Sequence, residues 1–402
     1  MTPKQLDAVR GDARRALLPL YAAGFVTAFG AHSIAASLGG YTGGANTSLL
    51  SLGLLLAVYD GAEVVLKPVF GSLADRVGAR PVLLGGLVAF AVASAAFVAA
   101  DNPALVAVAR LGQGAAAAAF SPAAGMLVAR LTPESGWGRG FGRYGAWKGV
   151  GYTLGPVLGG VLIALGGYQL LFATLGLLGA LVAGWAGISV PAVPPLPTAR
   201  QTVADLCRRL SSARFLCPTL ALAAATGALS VGVGFLPVVG AHRGLGPLAT
   251  GAVVSILAGT ATLVQPQAGR IRDNGRIGDR TGMAAGLAIT ALGCVAVWLP
   301  GTIALFTAAV LIGIGVGVIT PIGFAHLAAN SPRDRLGQTM GSAEVGRELG
   351  DAGGPLLVGA IAAAITLVPA IVAFAGLLAA TSVVVALPYS SPRSATTEET
   401  PG

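Results

Sequence analysis

Ionisable residues stand inside several long apolar runs of this sequence, where side chains of that type can do chemistry. Asp60, Glu63 and Lys67 occur in one run at spacings that place them on one face of a helix. Asp60 lies about twelve residues into its run, near mid-bilayer depth at ~1.5 Å per residue. Ionisable groups at that depth are costly and by default mark a pathway or a proton relay. A carboxyl in an apolar cavity can bind and release a proton near neutral pH.

The sequence leaves two interpretations of these charges open. Glu63 and Lys67 are spaced i,i+4 and could form a structural ion pair. Lys67 lies near the end of its run, where its ammonium can reach the interface. Asp60 has no equally obvious local partner, and this favours a role in proton transfer.

Two further residues lie at comparable depth in other runs. Arg110 lies about seven residues inside the fourth run, where an arginine needs a partner or a watery cavity. Asp60 is the candidate partner, because loss of its proton would strengthen an ion pair with Arg110. His32, about eight residues from the end of the first run, could join them, although a lone histidine is more often packed or capped.

The eleventh run opens with a charged segment, Glu344-Val-Gly-Arg347-Glu348-Leu-Gly-Asp351. Asp351 is the deepest of these charges and comes one turn after Arg347, so that a local ion pair and a transport role both fit the spacing. Three acids with one arginine leave excess negative charge, which favours a cation or a proton as the ligand.

Long apolar helices must position these residues. The chain has 402 residues, 54% hydrophobic and 10% charged, with a mean hydropathy of +0.79. Soluble domains carry about 25% charged residues, and runs of about 20 apolar residues suffice to cross a bilayer as helix. The sequence therefore predicts an all-α integral membrane protein. Twelve spans are predicted, at about 16–39, 48–70, 81–100, 103–130, 144–166, 168–190, 215–240, 247–267, 281–299, 302–327, 338–362 and 366–388.

A polar break rich in proline and arginine divides the spans into two sets of six. It predicts an N-terminal six-helix bundle at 1–190, a cytoplasmic linker at 191–214, a C-terminal six-helix bundle at 215–390 and a cytoplasmic tail at 391–402. Basic residues concentrate at the N-terminus, in this break and in the even-numbered connections, with Arg243 as the clear exception. The positive-inside rule then places both termini in the cytoplasm. The net charge of +9 is explained by this topology, and no nucleic-acid partner is expected.

Several other classes of site are not expected from the sequence. The three cysteines, Cys207, Cys217 and Cys294, have no metal or redox spacing, and no His/Cys cluster suggests a metal site. A P-loop and a nucleophile elbow are absent, so ATP-driven pumping and enzyme catalysis are not expected. We therefore expect no catalytic residues, no cofactor and no metal, with a proton gradient as the energy source.

The two halves are repeats of one another. One pattern, Lys67-Pro68-x-x-Gly71-x-x-x-Asp75, recurs about 198 residues later as Gln265-Pro266-x-x-Gly269-x-x-x-Asp273. In the second copy Asn274 replaces the counterpart of Arg76, so the second loop is degenerate. Gly155-Pro156 and Gly160 recur about 199 residues later as Gly354-Pro355 and Gly359. A duplicated six-span unit is typical of transporters that bind substrate between halves and rock around it.

The connection between the second and third spans, Gly71 to Leu83, is rich in glycine and charge. Gly71 and Gly78 permit close backbone approach and positive φ. Asp75, Arg76 and Arg80 stand where the chain leaves the apolar phase. These five residues are interpreted either as a plain exposed loop or as a conformational latch.

This connection resembles the loop signature of the major facilitator superfamily, G-x-L-A-D-[RK]-x-G-[RK]-[RK]-x-x-L, with Ala79 replacing one basic residue. Arg110-Leu-Gly-Gln113-Gly114 likewise resembles the family's R-x-x-Q-G element, which is linked to proton transfer. The resemblance implies two pseudo-symmetric six-helix bundles and a latch at the cytoplasmic side. It implies that Asp75 and Arg76 hold that closure, with Asp75 near the N-terminal end of the eleventh helix, where the helix dipole favours an anion. A proton taken up would weaken the latch.

The fifth span carries the residues of a signature of the twelve-span drug:proton antiporters: Gly142, Gly151, Gly155, Pro156, Gly159 and Gly160. Gly151, Gly155 and Gly159 fall on one helix stripe, which lets another helix approach closely. Pro156 can kink the span. The resemblance implies that this contact lies between the two halves and seals the cytoplasmic side against proton leak; ordinary tight packing is the alternative.

The combined prediction is a twelve-span secondary transporter of the inner (plasma) membrane. It would act as a monomer and export a small amphipathic compound in exchange for protons, with the bilayer as its other partner. Asp60 with Arg110 would alternate protonation, and Glu63 would assist. A symporter or uniporter that imports a sugar or an organic acid, and a lipid transporter open sideways to the bilayer, are the alternatives.

Overall fold

The computed structural model describes residues 3–41, 49–100, 102–196 and 203–388, so the predicted tail at 391–402 lies outside the described residues. These residues form α-helices, joined by turns and short 3₁₀ segments, and contain no strand. The helices are α1 (Pro3–Tyr41), α2 (Leu49–Val77), α3 (Ala79–Ala96), α4 (Pro103–Leu131), α5 (Trp137–Ser189), α6 (Val203–Leu210), α7 (Ala213–His242), α8 (Pro247–Asp273), α9 (Asp279–Ala296), α10 (Thr302–Ala329), α11 (Leu336–Ala364) and α12 (Leu367–Ala386).

The helices account for the twelve predicted spans with two differences: one helix covers two spans, and one short helix lies outside the spans. Helix α5 is bent at Gly166 and Gly167, where Gly167 has φ 69°, and its two arms coincide with the predicted fifth and sixth spans. Glycine tolerates this backbone conformation because it has no Cβ. The remaining helix, α6, lies within the predicted linker and is too short to cross a membrane. Eight of the described helices, α5 among them, are long and apolar enough to span a bilayer.

The helices form two six-helix bundles with equivalent packing. In the first, α1 packs on α5, and α4 packs on both α2 and α3. In the second, α7 packs on α11, and α10 packs on both α8 and α9. The bundles meet along two equivalent pairs, α2 with α11 and α5 with α8. The chain therefore has the pseudo-symmetric two-bundle fold that its repeat predicts.

The two bundles are in contact at one end and apart at the other. The contact end carries the connections with Arg76, Arg139, Arg276 and Arg333, and we call it the basic end. There α2 and α11 approach at Gly71 and Gly337, and α5 and α8 approach at Gly138 and Gly269, so closely that a Cβ on any of these glycines would collide with the opposing backbone. Farther along the same helices, Asp60 on α2 and Asp351 on α11 are exposed. A cleft between the bundles thus opens away from the basic end.

Candidate functional site

A fully buried lysine connects the two bundles below the cleft. The Lys67 side chain on α2 has no exposed surface, and its Nζ lies 3.1 Å from Glu63 Oε2 on the same helix. The same atom lies 2.5 Å from Glu348 Oε1 and 3.5 Å from Glu344 Oε2, both on α11 of the other bundle. The i,i+4 pair expected from the sequence is present, and two carboxylates that the sequence did not assign to Lys67 complete its surroundings.

Two more cations complete this charge cluster. Glu344 lies 3.8 Å from Lys148 Nζ of α5 and 3.3 Å from Arg347 NH1 one turn along α11. The Arg347 guanidinium also lies 5.7 Å from the centre of the Phe324 ring, a cation–π distance. The cluster therefore balances three cations with three carboxylates, as buried charges require.

The local sequence explains why the helices can bring these charges together. Gly341 on α11 faces the carbonyl of Lys67, and a Cβ there would collide with that backbone. A small residue lets the two helices approach closely, as in other membrane helix pairs. Glu344 and Glu348 are spaced i,i+4 and therefore point to the same side of α11.

Asp351 and Asp60, which lie next to the charge cluster, make contacts that differ from those predicted from the sequence. Asp351 accepts a hydrogen bond from the Ser230 hydroxyl of α7, while Arg347 pairs with Glu344, so the local Asp351–Arg347 pair is not formed. Asp60 is exposed at the cleft, and its electrostatic neighbours include Glu348 and Asp351 of the other bundle. The cleft wall thus exposes carboxylates contributed by both bundles.

Arg110 does not pair with Asp60 in this conformation, contrary to the sequence prediction. Its guanidinium carbon instead lies 4.4 Å from the centre of the Tyr59 ring. Its Nε and NH1 atoms are buried without a hydrogen-bond partner among the described residues. The face of an aromatic ring attracts a cation, and this contact is the feature that the sequence reasoning missed.

His32 lies near Lys148, Arg110 and Glu348, but its hydrogen-bond contact is with the backbone of its own helix. Its Nδ1 lies 3.2 Å from the carbonyl oxygen of Ala28, and its ring packs edge-on against Tyr152 with centroids 4.2 Å apart. This is the packed and capped arrangement that is more common for a lone histidine.

At the basic end, Asp75 joins the two bundles through backbone hydrogen bonds. Its carboxylate accepts from the N–H groups of Gly337 and Gln338, both at 2.8 Å, at the first turn of α11. This is the geometry expected from the sequence, since an anion at a helix N-terminus meets unpaired N–H groups and the positive end of the dipole. We call this contact the first cap. Asp75 lies beyond the predicted 48–70 span, and burial raises its pKa to about 6 although both N–H groups favour the charged form.

Of the other residues of the predicted latch, Gly71 meets Gly337 of the other bundle, whereas no hydrogen bond or ion pair in the described structure joins Gly78, Arg76 or Arg80 to that bundle. Gly78 has φ 99° and provides the turn between α2 and α3, as expected. Arg80 donates to the carbonyl of Gly187 at 2.5 Å, which joins α3 to the end of α5. Arg76 is exposed. Of the charged residues predicted to hold the closure, Asp75 crosses to the other bundle and Arg76 does not.

A second cap, at Asp273, repeats the first in the other bundle. Its carboxylate accepts from the N–H groups of Gly138 and Arg139, both at 2.8 Å, at the first turn of α5. The second loop therefore keeps the capping contact, although Asn274 replaces an arginine and makes its sequence degenerate. Arg272 joins Asp273 to Asp279, with 2.8 Å between its Nε and Asp279 Oδ1.

The glycine stripe of α5 lies elsewhere than predicted. Gly151, Gly155 and Gly159 face α1 within the same bundle, against Phe25, His32 and Ser33 respectively. The stripe between the bundles consists of Gly138, Gly142, Gly145 and Gly149, which face α8 at Gly269, Gln265 and Thr262. Gly160 has no atom within 4 Å of its would-be Cβ. The helix continues through Pro156 and is interrupted at Gly166 and Gly167.

A cavity of about 70 Å³ lies between the bundles beside the charge cluster. Among its lining side chains, Ser121, Tyr144 and Gln265 bury polar atoms that make no hydrogen bond within the described structure. A polar cavity of this size can hold water. A larger groove of about 900 Å³ is lined by apolar residues of α2, α3 and α4 and by the turn after α3, with none from the second bundle.

Comparison with known proteins identifies the chain's relatives. A family model described as the Major Facilitator Superfamily matches residues 20–275 and 219–402. The methylenomycin A resistance protein of Bacillus subtilis (strain 168) is 35% identical over 131 residues, 32% of this chain and 28% of the relative. The quinolone resistance protein NorA of Staphylococcus aureus (strain Mu50 / ATCC 700699) is 30% identical over 111 residues, 28% of this chain and 29% of the relative. The chain thus aligns with less than a third of either relative.

A crystal structure of the E. coli fucose:proton symporter FucP superposes on this chain with a TM-score of 0.76 at 16% identity. The superposition covers 92% of this chain and 97% of that one.

Proposed function

This chain belongs to the Major Facilitator Superfamily, and on that premise we propose that it exports a small amphipathic compound from the cell in exchange for protons. Members of this family are membrane transporters and not enzymes. Two relatives with local similarity are named as resistance proteins, against methylenomycin A and quinolones, which supports export of a toxic compound.

The observation that carries the proposal is the distribution of charge in the cleft. Asp60 and Asp351, one from each bundle, are exposed there. Among the cations of the same region, Lys67 is fully enclosed, Arg110 is covered by the Tyr59 ring, and Arg347 is paired with Glu344. A cleft with exposed carboxylates and paired or covered cations attracts a proton or an organic cation, and both can compete for the same acids. This competition is what exchange of one for the other requires.

Orientation follows from the basic connections. We place the basic end in the cytoplasm by the positive-inside rule, which makes the membrane the inner (plasma) membrane and the open cleft outward-facing. In this arrangement protons reach Asp60 from outside, and a proton gradient supplies the energy. The protein is proposed to act as a monomer, since each chain carries both bundles and the complete cleft.

Transport in proteoliposomes with an acidic lumen tests the proposal. In the fraction of molecules whose basic end faces outward, a fluorescent lipophilic amine should accumulate inside while the lumen becomes alkaline. Asp60→Asn should abolish both signals, because an amide cannot exchange a proton. Glu134→Gln, at an exposed ion pair with Arg333, is the matched control and should transport as the wild type does.

Two results would contradict the proposal. Movement of substrate and protons in the same direction would establish symport, the alternative predicted from the sequence. Normal export with unchanged pH dependence in Asp60→Asn would remove Asp60 from the proton pathway.

A further inference from the structure

We propose that Glu348 is the carboxyl whose protonation releases the basic end, and that its ion pair with Lys67 converts proton uptake into opening of the two bundles. The inference deepens the proposed proton-coupled transport, on which it rests. It assigns the conformational step to a residue that neither the loop motif nor the depth of Asp60 indicates.

The position of the ion pair carries the first step of the argument. Lys67 belongs to α2 and Glu348 to α11, and these helices form one of the two contacts between the bundles. Opening of the basic end must separate them. The Lys67–Glu348 contact of 2.5 Å is therefore broken in every transport cycle, together with the first cap at Asp75.

The remaining partners of each charge identify Glu348 as the residue that needs a proton. After separation Lys67 keeps Glu63, its neighbour on α2 at 3.1 Å. Glu344 keeps Arg347, its neighbour on α11 at 3.3 Å. Within the described residues Glu348 has Lys67 as its ion-pair partner and none on its own bundle. Opening therefore breaks the ion pair of Glu348 with Lys67 as long as Glu348 is charged, and a proton bound beforehand removes that attraction.

Access from the cleft makes the proton available. The Glu348 side chain is 15% exposed, compared with 5% for Glu344. Glu348 is also an electrostatic neighbour of the exposed Asp60 across the cleft. The titratable and charged groups that face it are Asp60, Glu63 and Lys67 on α2, Tyr152 on α5, His32 on α1, and Glu344, Arg347 and Asp351 on α11. Lys148 on α5 is one step away, since it pairs with Glu344.

The step itself is a simple proton transfer. The Glu348 carboxylate takes one proton from the cleft and becomes a neutral carboxyl, which no longer attracts the Lys67 ammonium as an ion. The bundles can then part at the basic end. Loss of the proton at that side restores the carboxylate and favours closure again.

Distance measurements between spin labels on the basic end test the inference. Arg76→Cys and Arg276→Cys place labels at exposed positions of opposite bundles, in full-length protein whose three native cysteines are replaced. In lipid nanodiscs the short distance should dominate near neutral pH, and acidification should raise the long-distance population by about tenfold, the effect of a free-energy shift of ~1.4 kcal/mol. In Glu348→Gln, which mimics the protonated carboxyl, the long distance should dominate near neutral pH and acid should no longer increase it.

Matched variants separate a titrating role from a structural one. Glu348→Asp keeps a titratable group and should keep acid-induced opening with a shifted midpoint. Lys67→Gln removes the partner of Glu348 together with the contacts to Glu63 and Glu344, and should likewise make the long distance dominate near neutral pH. Glu134→Gln should respond as the wild type, because its partner Arg333 is exposed. The inference would be overturned if acid-induced opening in Glu348→Gln kept the midpoint and amplitude of the wild type. It would also be overturned if Glu344→Gln lost acid-induced opening while Glu348→Gln kept it.

The labels report conformation without any substrate, which separates this inference from the proposed function. Loss of acid-induced opening in Glu348→Gln supports the inference even where no compound is exported by the wild type. A different pair of results would overturn the inference and leave the proposed function standing. In that case Glu348→Gln protein would open with acid as the wild type does, and it would still export substrate in exchange for protons.

Discussion

At the scale of single residues, three of the cations beside the cleft are stabilised by different means. Lys67 is surrounded by carboxylates, Arg347 has Glu344 and the Phe324 ring, and Arg110 has the Tyr59 ring. A buried charge without a partner would be strongly destabilising. The Tyr59 ring covers Arg110 without an ion pair, while Arg110 remains an electrostatic neighbour of the exposed Asp60.

The ring contact gives a prediction for Tyr59. Tyr59→Phe keeps the ring under Arg110 and loses only a hydroxyl whose hydrogen bond to Glu63 is long, at 3.5 Å. Tyr59→Leu loses the ring as well. We expect Tyr59→Leu to lower the free energy of unfolding by about 1–2 kcal/mol more than Tyr59→Phe, the value of a desolvated cation–π contact. Denaturant titrations in detergent micelles measure this difference.

The control for Tyr59 is Tyr168, whose ring stacks on Phe172 with centroids 6.4 Å apart. The same pair of substitutions there measures the loss of a ring that contacts another ring instead of a cation. Equal Phe-to-Leu differences at Tyr59 and Tyr168 would show that Arg110 gains nothing specific from the ring.

Residue spacing predicts local pairs and fails for distant ones. The Glu63–Lys67 pair follows from i,i+4 spacing and is present. The link from Lys67 to Glu344 and Glu348 spans more than half of the chain, and only the packing of α2 on α11 creates it. The Asp60–Arg110 pair was inferred from depth alone, and depth does not fix which way a side chain turns around its helix.

At the scale of helices, the pKa of Asp75 determines how the first cap responds to acid. Burial raises this pKa to about 6, above the usual 3.8 of an exposed aspartate. The closed state therefore binds a proton at Asp75 more tightly than an open state in which the carboxyl is hydrated, and by linkage acid favours closure at this site. Closure at this site therefore becomes more favourable as pH falls through about 6. The acid-induced opening proposed above must then come from a different group, and we propose that this group is Glu348.

This sign leads to a prediction for the combined variant. With the opening effect of Glu348 removed, Glu348→Gln protein should close further as pH falls from about 7 to about 5, through the Asp75 titration. Adding Asp75→Asn should abolish this residual response, because an amide does not titrate in that range. The same spin-label distances measure both effects. A residual response that survives Asp75→Asn would show that a different group titrates.

The helix contacts show where sequence patterns stop being informative. The loop motif identified Asp75 as the residue that meets α11, since a carboxylate at a helix start has a specific physical role. The α5 glycines formed an equally regular pattern, yet Gly151, Gly155 and Gly159 face α1 instead of the other bundle. A glycine stripe predicts a close neighbour but carries no information on which helix that neighbour is.

At the scale of the whole molecule, the two bundles carry unequal charge where they meet. The first contributes Lys67, Arg110 and Lys148 against Asp60 and Glu63; the second contributes Arg347 against Glu344, Glu348 and Asp351. The first is thus net positive and the second net negative when all are ionised. Their attraction favours the closed basic end, and protons taken up by the second bundle reduce it. Charge separation by bundle is thus a property of the duplicated fold rather than of any single motif.

The pseudo-symmetry of the closure supplies the final prediction. Asp75 caps α11 and Asp273 caps α5 with the same two N–H distances of 2.8 Å, and they share no partner. Each cap consists of charge-assisted hydrogen bonds, worth about 1.5–3 kcal/mol. Because the bundles separate as units, Asp75→Ala and Asp273→Ala, which leave the N–H groups without their acceptor, should each shift the equilibrium toward the open basic end. Their free-energy effects should add in the double variant to within about 0.5 kcal/mol, as for independent sites.

The label distance between positions 76 and 276 measures all three variants. The control is Asp334→Asn, since Asp334 lies in the same region and pairs with the adjacent Arg335. A double variant no more open than Asp75→Ala alone would mean that the first cap holds the closure and the second only follows it.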